Sequence, residues 1–217
     1  MSEISTLLAG SHIEQQLADC LERRIMPDYF LYAGAEGSDN WLELDASTHF
    51  SVATDLTRLL RESAADIASR LGGIRQFVSV GVGSGEKEAV LLDALNPRKG
   101  LRFTAVDVSR MFVGMAIERA GTFAVDTDGI VGRFEDLGSV CGTWDRPVLL
   151  SLFGNNFSNY HPEEFFAAVT RYTGPDGFLL IDGQLFTEDA DIEHTRRSIE
   201  RLYLSDTNTA FNIEPLV

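Results

Sequence analysis

Val80-Gly81-Val82-Gly83-Ser84-Gly85-Glu86 is the stretch of this 217-residue sequence whose residue types and spacing most plainly serve chemistry. Glycines at 81, 83 and 85 bring main-chain amides to a ligand that side chains would hold off, and they allow a turn with φ above zero. Asp107 stands about 20 residues after the loop, the separation at which an acid ending the next strand accepts hydrogen bonds from both hydroxyls of a ribose. Its other reading is a cap for a helix starting near Arg110. The spacing also separates two cofactor classes. A dinucleotide loop reads G-x-G-x-x-G and sets its pyrophosphate on a helix N-terminus. Here the third glycine comes one residue early, and Glu86 and Glu88 crowd the helix start. Carboxylates there suit the helix dipole; they also oppose a pyrophosphate and accept a sulfonium cation. The expected cofactor is therefore S-adenosylmethionine (SAM), ahead of NAD.

These residues need strands and helices to hold them. Ser11-His12-Ile13-Glu14 is a capping box that starts a helix running to about Met26, before Pro27. The stretch from Tyr29 through Gly34, Gly37 and Trp41 reads as irregular, in the position of a lid. From Thr54, Leu56, Leu59, Leu60, Ile67 and Leu71 recur at helical spacing, and Gly72-Gly73 stops the helix. Strands are then expected at Phe77–Val80, Arg102–Val106, Ile130-Val131, Val148–Phe153 and Phe178–Ile181. Helices are expected at Glu86–Leu95, Arg110–Ala120, Glu163–Tyr172 and Asp191–Tyr203. Strands apolar on both faces alternating with amphipathic helices imply an α/β fold: a doubly wound, mainly parallel sheet. Residues 1–73 are expected as an N-terminal helical cap and lid segment, and 74–217 as a Rossmann-like core.

Composition narrows the partners. Lys and Arg total 18 against 33 Asp and Glu, a formal charge of -15, which repels nucleic acid and anionic membrane surfaces. No stretch approaches the roughly 20 apolar residues of a membrane span, and the N-terminus lacks the pattern of a signal peptide, so a cytoplasmic location is expected. Cys20 and Cys141 lie far apart and outside any C-x-x-C spacing, which argues for small buried hydrophobes rather than a disulfide or a metal site.

Gly81-Val82-Gly83-Ser84-Gly85-Glu86-Lys87, Leu91-Leu92-Asp93-Ala94-Leu95 and Val106-Asp107-Val108-Ser109 together resemble the histidine-specific, SAM-dependent methyltransferase family, which acts on the α-amine of histidine in ergothioneine synthesis. The segments Leu152-Phe153-Gly154-Asn155-Asn156-Phe157-Ser158-Asn159-Tyr160-His161-Pro162 and Tyr203 with Ala210-Phe211-Asn212 extend the resemblance over about Tyr29 to Val217. The resemblance implies a Rossmann-like class I methyltransferase that N-methylates an amino-acid-like small molecule. It implies that Gly81, Gly83, Ser84 and Gly85 line the SAM methionine and ribose, that Lys87 reaches the SAM carboxylate and that Asp107 holds the ribose. Arg133 and Phe134 would lie beside the adenine, Gly154 near the methyl-transfer centre, and Asn159 and Tyr203 on the carboxylate of the substrate.

Each of these side chains has a plainer reading. Lys87 suits a solvated helix charge, Phe134 a core ring, Asn159 a turn or helix cap, and His161 a loop residue near a helix start. The sequence departs from the family at Ser79, where a glutamate is usual, at Arg133, where an aspartate is common, and at Phe50, near a substrate-binding tyrosine. The family also continues past Phe211-Asn212 with closing strands, so the expectation is either a shortened piece of a longer chain or a short relative whose sheet is completed by a second copy or a partner chain. Methyl transfer asks the protein mainly to align an amine behind a methyl group, and no general base is identifiable from sequence. The alternatives are a SAM-binding subunit with little activity of its own and an NAD-dependent oxidoreductase.

Overall fold

A computed structural model describes residues 2–8, 10–46, 52–95, 100–123, 125–183, 196–197, 200–201 and 204–213. Six strands form one sheet: β1 (Ile4–Thr6), β2 (Gln76–Val80), β3 (Arg102–Asp107), β4 (Asp126–Val131), β5 (Val148–Leu152) and β6 (Phe178–Ile181), in the order β1-β4-β3-β2-β5-β6. All five pairings are parallel, with Val80 opposite Val106 on one side and Leu152 on the other. The chain winds outward from β2 to β4 and then returns to β5 on the other side of β2. That reversal is the switch point at which such sheets open a crevice beyond their strand ends.

Period-2 geometry sends alternate strand residues to opposite faces. Val78, Val80, Val106, Ile130, Leu150 and Leu152 form one core with Phe165, Val169 and Tyr172 of α7 (Pro162–Thr173). Phe77, Phe103, Ala105 and Leu149 form the other, with Leu91 and Leu92 of α5 (Glu86–Leu95) and with Val113, Ala116 and Ala120 of α6 (Arg110–Gly121). The continuous apolar runs of the sequence thus reflect burial on both faces. Cys141 is one of the buried residues, and among the described residues no helix is long and apolar enough to cross a membrane.

The chain divides into two compact units, Met1–Ala9 with Leu56–Gly183 and Gly10–Asp55 with Gln184–Val217. The first holds the sheet. The second contains α1 (Gly10–Glu22), α2 (Phe30–Ala33), α3 (Ala35–Asp45) and the helix Asp206–Ile213. The stretch Tyr29–Trp41, expected to be irregular, is therefore helical. Its small residues are packing surface rather than breakers: Gly37 and Ser38 are buried, and the Ser38 hydroxyl donates back to the carbonyls of Tyr32 and Gly34, both 3.2 Å away. Tyr32, Trp41 and Phe211 close the unit as a trio of rings with centroids 5.2 to 5.5 Å apart. Strand β1 is a second difference, since three residues, Ile4 half-buried and Ser5 and Thr6 exposed, carry no period-2 signal. Tyr203, Phe50 and most of the helix expected over Asp191–Tyr203 lie outside the described residues.

Candidate functional site

The polar groups that can do chemistry gather beyond the carboxyl ends of β3, β2, β5 and β6. At the β2 tip, Gly81, Gly83 and Gly85 all take left-handed backbone, with φ of 63°, 53° and 73°, a conformation that costs other residues about 1–2 kcal/mol. Their lack of a Cβ has three different reasons. At Gly81 a Cβ would press to 2.8 Å from Asn156 Nδ2, and at Gly85 it would sit 2.8 Å from the Ala116 Cα of α6. At Gly83 an added Cβ would have none of the described residues within 4 Å, which leaves room among them for a ligand to approach the backbone.

Asp107 closes the other side of that space. Its Oδ2 accepts from the Gly83 N–H at 3.0 Å and its Oδ1 from the Ser109 N–H at 2.9 Å. The cap of α6 is Ser109, whose Oγ accepts from the Phe112 N–H, so Asp107 is released from the capping role. Burial pushes its carboxyl up to about 6, although the amides of Ser109, Gly83 and Val108 pull the other way.

The two glutamates of the helix start behave differently. Glu86 is exposed and lies 3.7 Å from Arg61. Glu88 is not at the mouth: it is 2 % exposed and turned toward the strands, where its Oε1 accepts from the Ser79 hydroxyl at 2.7 Å. Ser79 in turn lies 2.9 Å from Ser151 Oγ. The strand position that lacks the family's carboxylate is thus supplied with one from α5. Among the described residues Glu88 Oε2 has no hydrogen-bond partner, and burial raises the carboxyl above its ordinary value, against the Lys87 charge and the Ser79 hydrogen bond. A raised acid stabilises the fold below its unfolded value and loses that contribution as pH rises. Glu88→Gln keeps the shape without the charge. It is expected to raise the melting midpoint at pH 8 by about 2–4 °C, equivalent to about 1 kcal/mol at this size, with a smaller gain at pH 5.

At the β5 tip, Gly154 and Asn155 are also left-handed, with φ of 84° and 61°. Asn156 donates from Nδ2 to the Phe153 carbonyl at 2.6 Å and, lying against Gly81, joins this turn to the glycine loop. Asp182, just past β6, accepts the Asn155 N–H at 3.1 and 3.3 Å. Burial raises this carboxyl, opposed by the Asn155 and Gly154 amides and by the Lys87 charge. Neither Asn156 nor Asp182 was picked out from sequence. Asp182-Gly183 carries a turn signature that hides an acid on a strand tip.

The remaining expected site residues are placed as follows. Ser84 and Lys87 are half-buried beside the loop. Arg133 grips Asp136 with both guanidinium and backbone, at 2.9 to 3.1 Å, and starts a 3-10 helix, Phe134–Ser139. Burial notwithstanding, that grip holds Asp136 below its ordinary value. Phe134 is buried in the core, stacked on Phe165 at 4.9 Å with Tyr160 and Tyr172 at its edges. Asn159 is exposed at the end of a 3-10 turn, Asn156–Asn159, and His161 is the N-cap position of α7. A cavity of about 270 Å³ lies at the opposite ends of the strands, around the Gln76–Thr104 hydrogen bond, away from all of these groups.

The chain is 29% identical over 145 residues to 4-dimethylallyltryptophan N-methyltransferase ifgB of Penicillium roqueforti (strain FM164), a match covering 63% of this chain and 42% of that protein. The chain thus spans less than half the length of that relative. Among solved structures, the plantazolicin methyltransferase BpumL in complex with SAH superposes with a TM-score of 0.54 at 11% identity, over 92% of this chain and 70% of that one. The plantazolicin methyltransferase BamL, also with SAH, gives 0.51 at 13% identity over 92% and 68%. These two similarities show the fold. The family described as "Histidine-specific methyltransferase, SAM-dependent" matches residues 13–213. With a parallel sheet that turns back at β2, a left-handed glycine loop at its tip and an acid bound to that loop, the chain belongs to the SAM-dependent, histidine-specific methyltransferase family.

Proposed function

We propose that this protein transfers a methyl group from SAM to the amine of an amino-acid-like small molecule. The observation that carries the reading is the pair formed by the Gly83 N–H and Asp107 at 3.0 Å, beside a loop residue with open space above it. The family assignment supplies SAM, and the tryptophan-derivative N-methyltransferase among its relatives supports an amine acceptor. Gly81, Gly83, Ser84 and Gly85 line the methionine and ribose of the cofactor, Lys87 meets its carboxylate, and Arg133 and Phe134 border its adenine. When bound, SAM supplies a methyl group on a cationic sulfur.

The chain's own contribution is orientation and electrostatics. Asp107 accepts the ribose hydroxyls with lone pairs that the two amides leave free, since an ionised carboxylate has about four such sites. Gly154 exposes backbone at the reacting centre, and Asn159 holds the carboxylate of the acceptor. Restricting cofactor and acceptor to one relative geometry removes much of the barrier to a displacement.

Incubating the full chain with labelled SAM and either L-histidine or L-tryptophan tests the activity, and a complete absence of labelled amine with both would count against an amino-acid acceptor. Cofactor binding has its own signature. Hydroxyls donate more strongly to Asp107 when it is ionised, and burial pushes its carboxyl up to about 6. Affinity for S-adenosylhomocysteine is therefore expected to be flat above about pH 7 and to weaken as pH falls below about 6. Calorimetry across that range measures it.

A further inference from the structure

Amine methylation needs a neutral nitrogen, and so a group placed to take the ammonium proton. Carboxylates near the carboxyl ends of β3, β2 and β6 can be compared directly. Asp107 is committed to the Gly83 and Ser109 amides and is buried. Glu88 is sealed beneath the loop, and Glu86 lies near Arg61 on the surface. Asp182 differs from all of them: it is fixed by backbone amides yet only half-buried.

Its surroundings are built rather than incidental. Two consecutive left-handed residues, Gly154 and Asn155, turn the loop so that amides face the carboxylate, and the Asn155 N–H is shared between both oxygens. The amides of Asn155, Gly154 and Asp182 itself all bear on the carboxylate, which has about four lone-pair sites, so it keeps capacity for a further donor. The next residue, Asn156, lies against Gly81. The tips of β2, β5 and β6 are neighbours, so Asp182 stands two strand spacings, roughly 10 Å, from the glycine loop, with the Gly154 turn between them. An acceptor placed over that turn has the cofactor on one side and this acid on the other.

We propose that Asp182 is the residue that receives the acceptor amine. This rests on the cofactor reading above. The ammonium of the acceptor hydrogen-bonds to the free face of the carboxylate and transfers one proton to it, breaking an N–H bond and forming an O–H bond. The nitrogen lone pair left behind forms the N–C bond as the C–S bond breaks, and the electron pair of that bond remains on sulfur. Among the described residues, the groups that face Asp182 are the Asn155 and Gly154 amides of the turn after β5, its own amide and the Lys87 charge from α5. Burial raises the Asp182 carboxyl against all four, the direction a proton acceptor requires.

The test uses the full chain and binding as its first readout. Calorimetry with S-adenosylhomocysteine comes first, because failure of the wild type to bind it would bring down the cofactor reading itself. With that ligand saturating, L-histidine and L-tryptophan are compared with 3-(imidazol-4-yl)propionate and 3-indolepropionate, which lack the amine. The wild type is expected to favour the amines at least about tenfold, the order of a charge-assisted hydrogen bond. Asp182→Asn is expected to bind S-adenosylhomocysteine within about twofold but to lose that preference, and Asp182→Glu to recover part of it. Three results would overturn the proposal: no amine preference in the wild type, an undiminished preference in Asp182→Asn, or joint loss of cofactor and amine binding, which would make Asp182 a structural clamp of the β5 turn.

Discussion

Asp107→Ala is expected to reduce affinity for S-adenosylhomocysteine by at least about a hundredfold, while leaving the melting midpoint within a few degrees of wild type. The two halves of that expectation come from different balances. For binding, the variant loses the acceptor for two ribose hydroxyls, and hydrogen bonds to charged groups contribute about 1.5–3 kcal/mol each. It also frees the Gly83 amide, which Asp107 holds at 3.0 Å, so the loop loses its preset form. For folding, the terms oppose each other. A carboxyl raised to about 6 by burial costs the empty fold about 3 kcal/mol at neutral pH. The cost is absent below the unfolded value, where both states are protonated, and is reached in full as pH rises through 6. Removing the side chain lifts this cost but strands the Gly83 and Ser109 amides, at about 1–3 kcal/mol each when buried. Calorimetry and thermal melts on the same preparation separate the two. Unchanged affinity in a folded variant would remove Asp107 from the cofactor site.

Much of this site is written in local signals. The β2 and β3 strands, the loop between β2 and α5, and Asp107 at the next strand tip all follow from apolar runs, glycines and one acid at a fixed separation. What escaped was non-local. Glu88 reads as a first-turn acid serving the helix dipole, and only the packing of α5 on the sheet shows it buried against Ser79. Asp182 before a glycine looks like a turn, because nothing nearby in sequence says that Gly154 and Asn155 will aim amides at it. Gly37 and Ser38 look like helix breakers until both are seen buried, with the Ser38 hydroxyl donating to the Tyr32 and Gly34 carbonyls. Phe134 and Arg133 show the converse: the one stacks on Phe165 and the other clasps Asp136, both answering to structure before ligand.

The three loop glycines look alike in sequence, and substitution is expected to separate them. Gly85→Ala is expected to destabilise the fold by about 3–5 kcal/mol, lowering the melting midpoint by roughly 10 °C. The new Cβ would lie 2.8 Å from the Ala116 Cα and 3.0 Å from its Cβ. Those are main-chain and stub atoms that cannot swing aside. Helix α6 must move away from the loop, and it carries Val113, Ala116 and Ala120 into the core, where interiors tolerate little added volume. The left-handed φ of 73° adds its own cost of about 1–2 kcal/mol. Gly83→Ala meets the same backbone cost but open space, so its midpoint should fall by only a few degrees. Its methyl group, however, would enter the space above the loop, and affinity for S-adenosylhomocysteine should drop by about tenfold or more, as for a ligand held off the backbone it needs. Melts and calorimetry on both variants give four measurements. A Gly85 variant as stable as wild type would show that α6 does not depend on the missing Cβ, and a Gly83 variant with full affinity would show that the cofactor does not lie on this backbone.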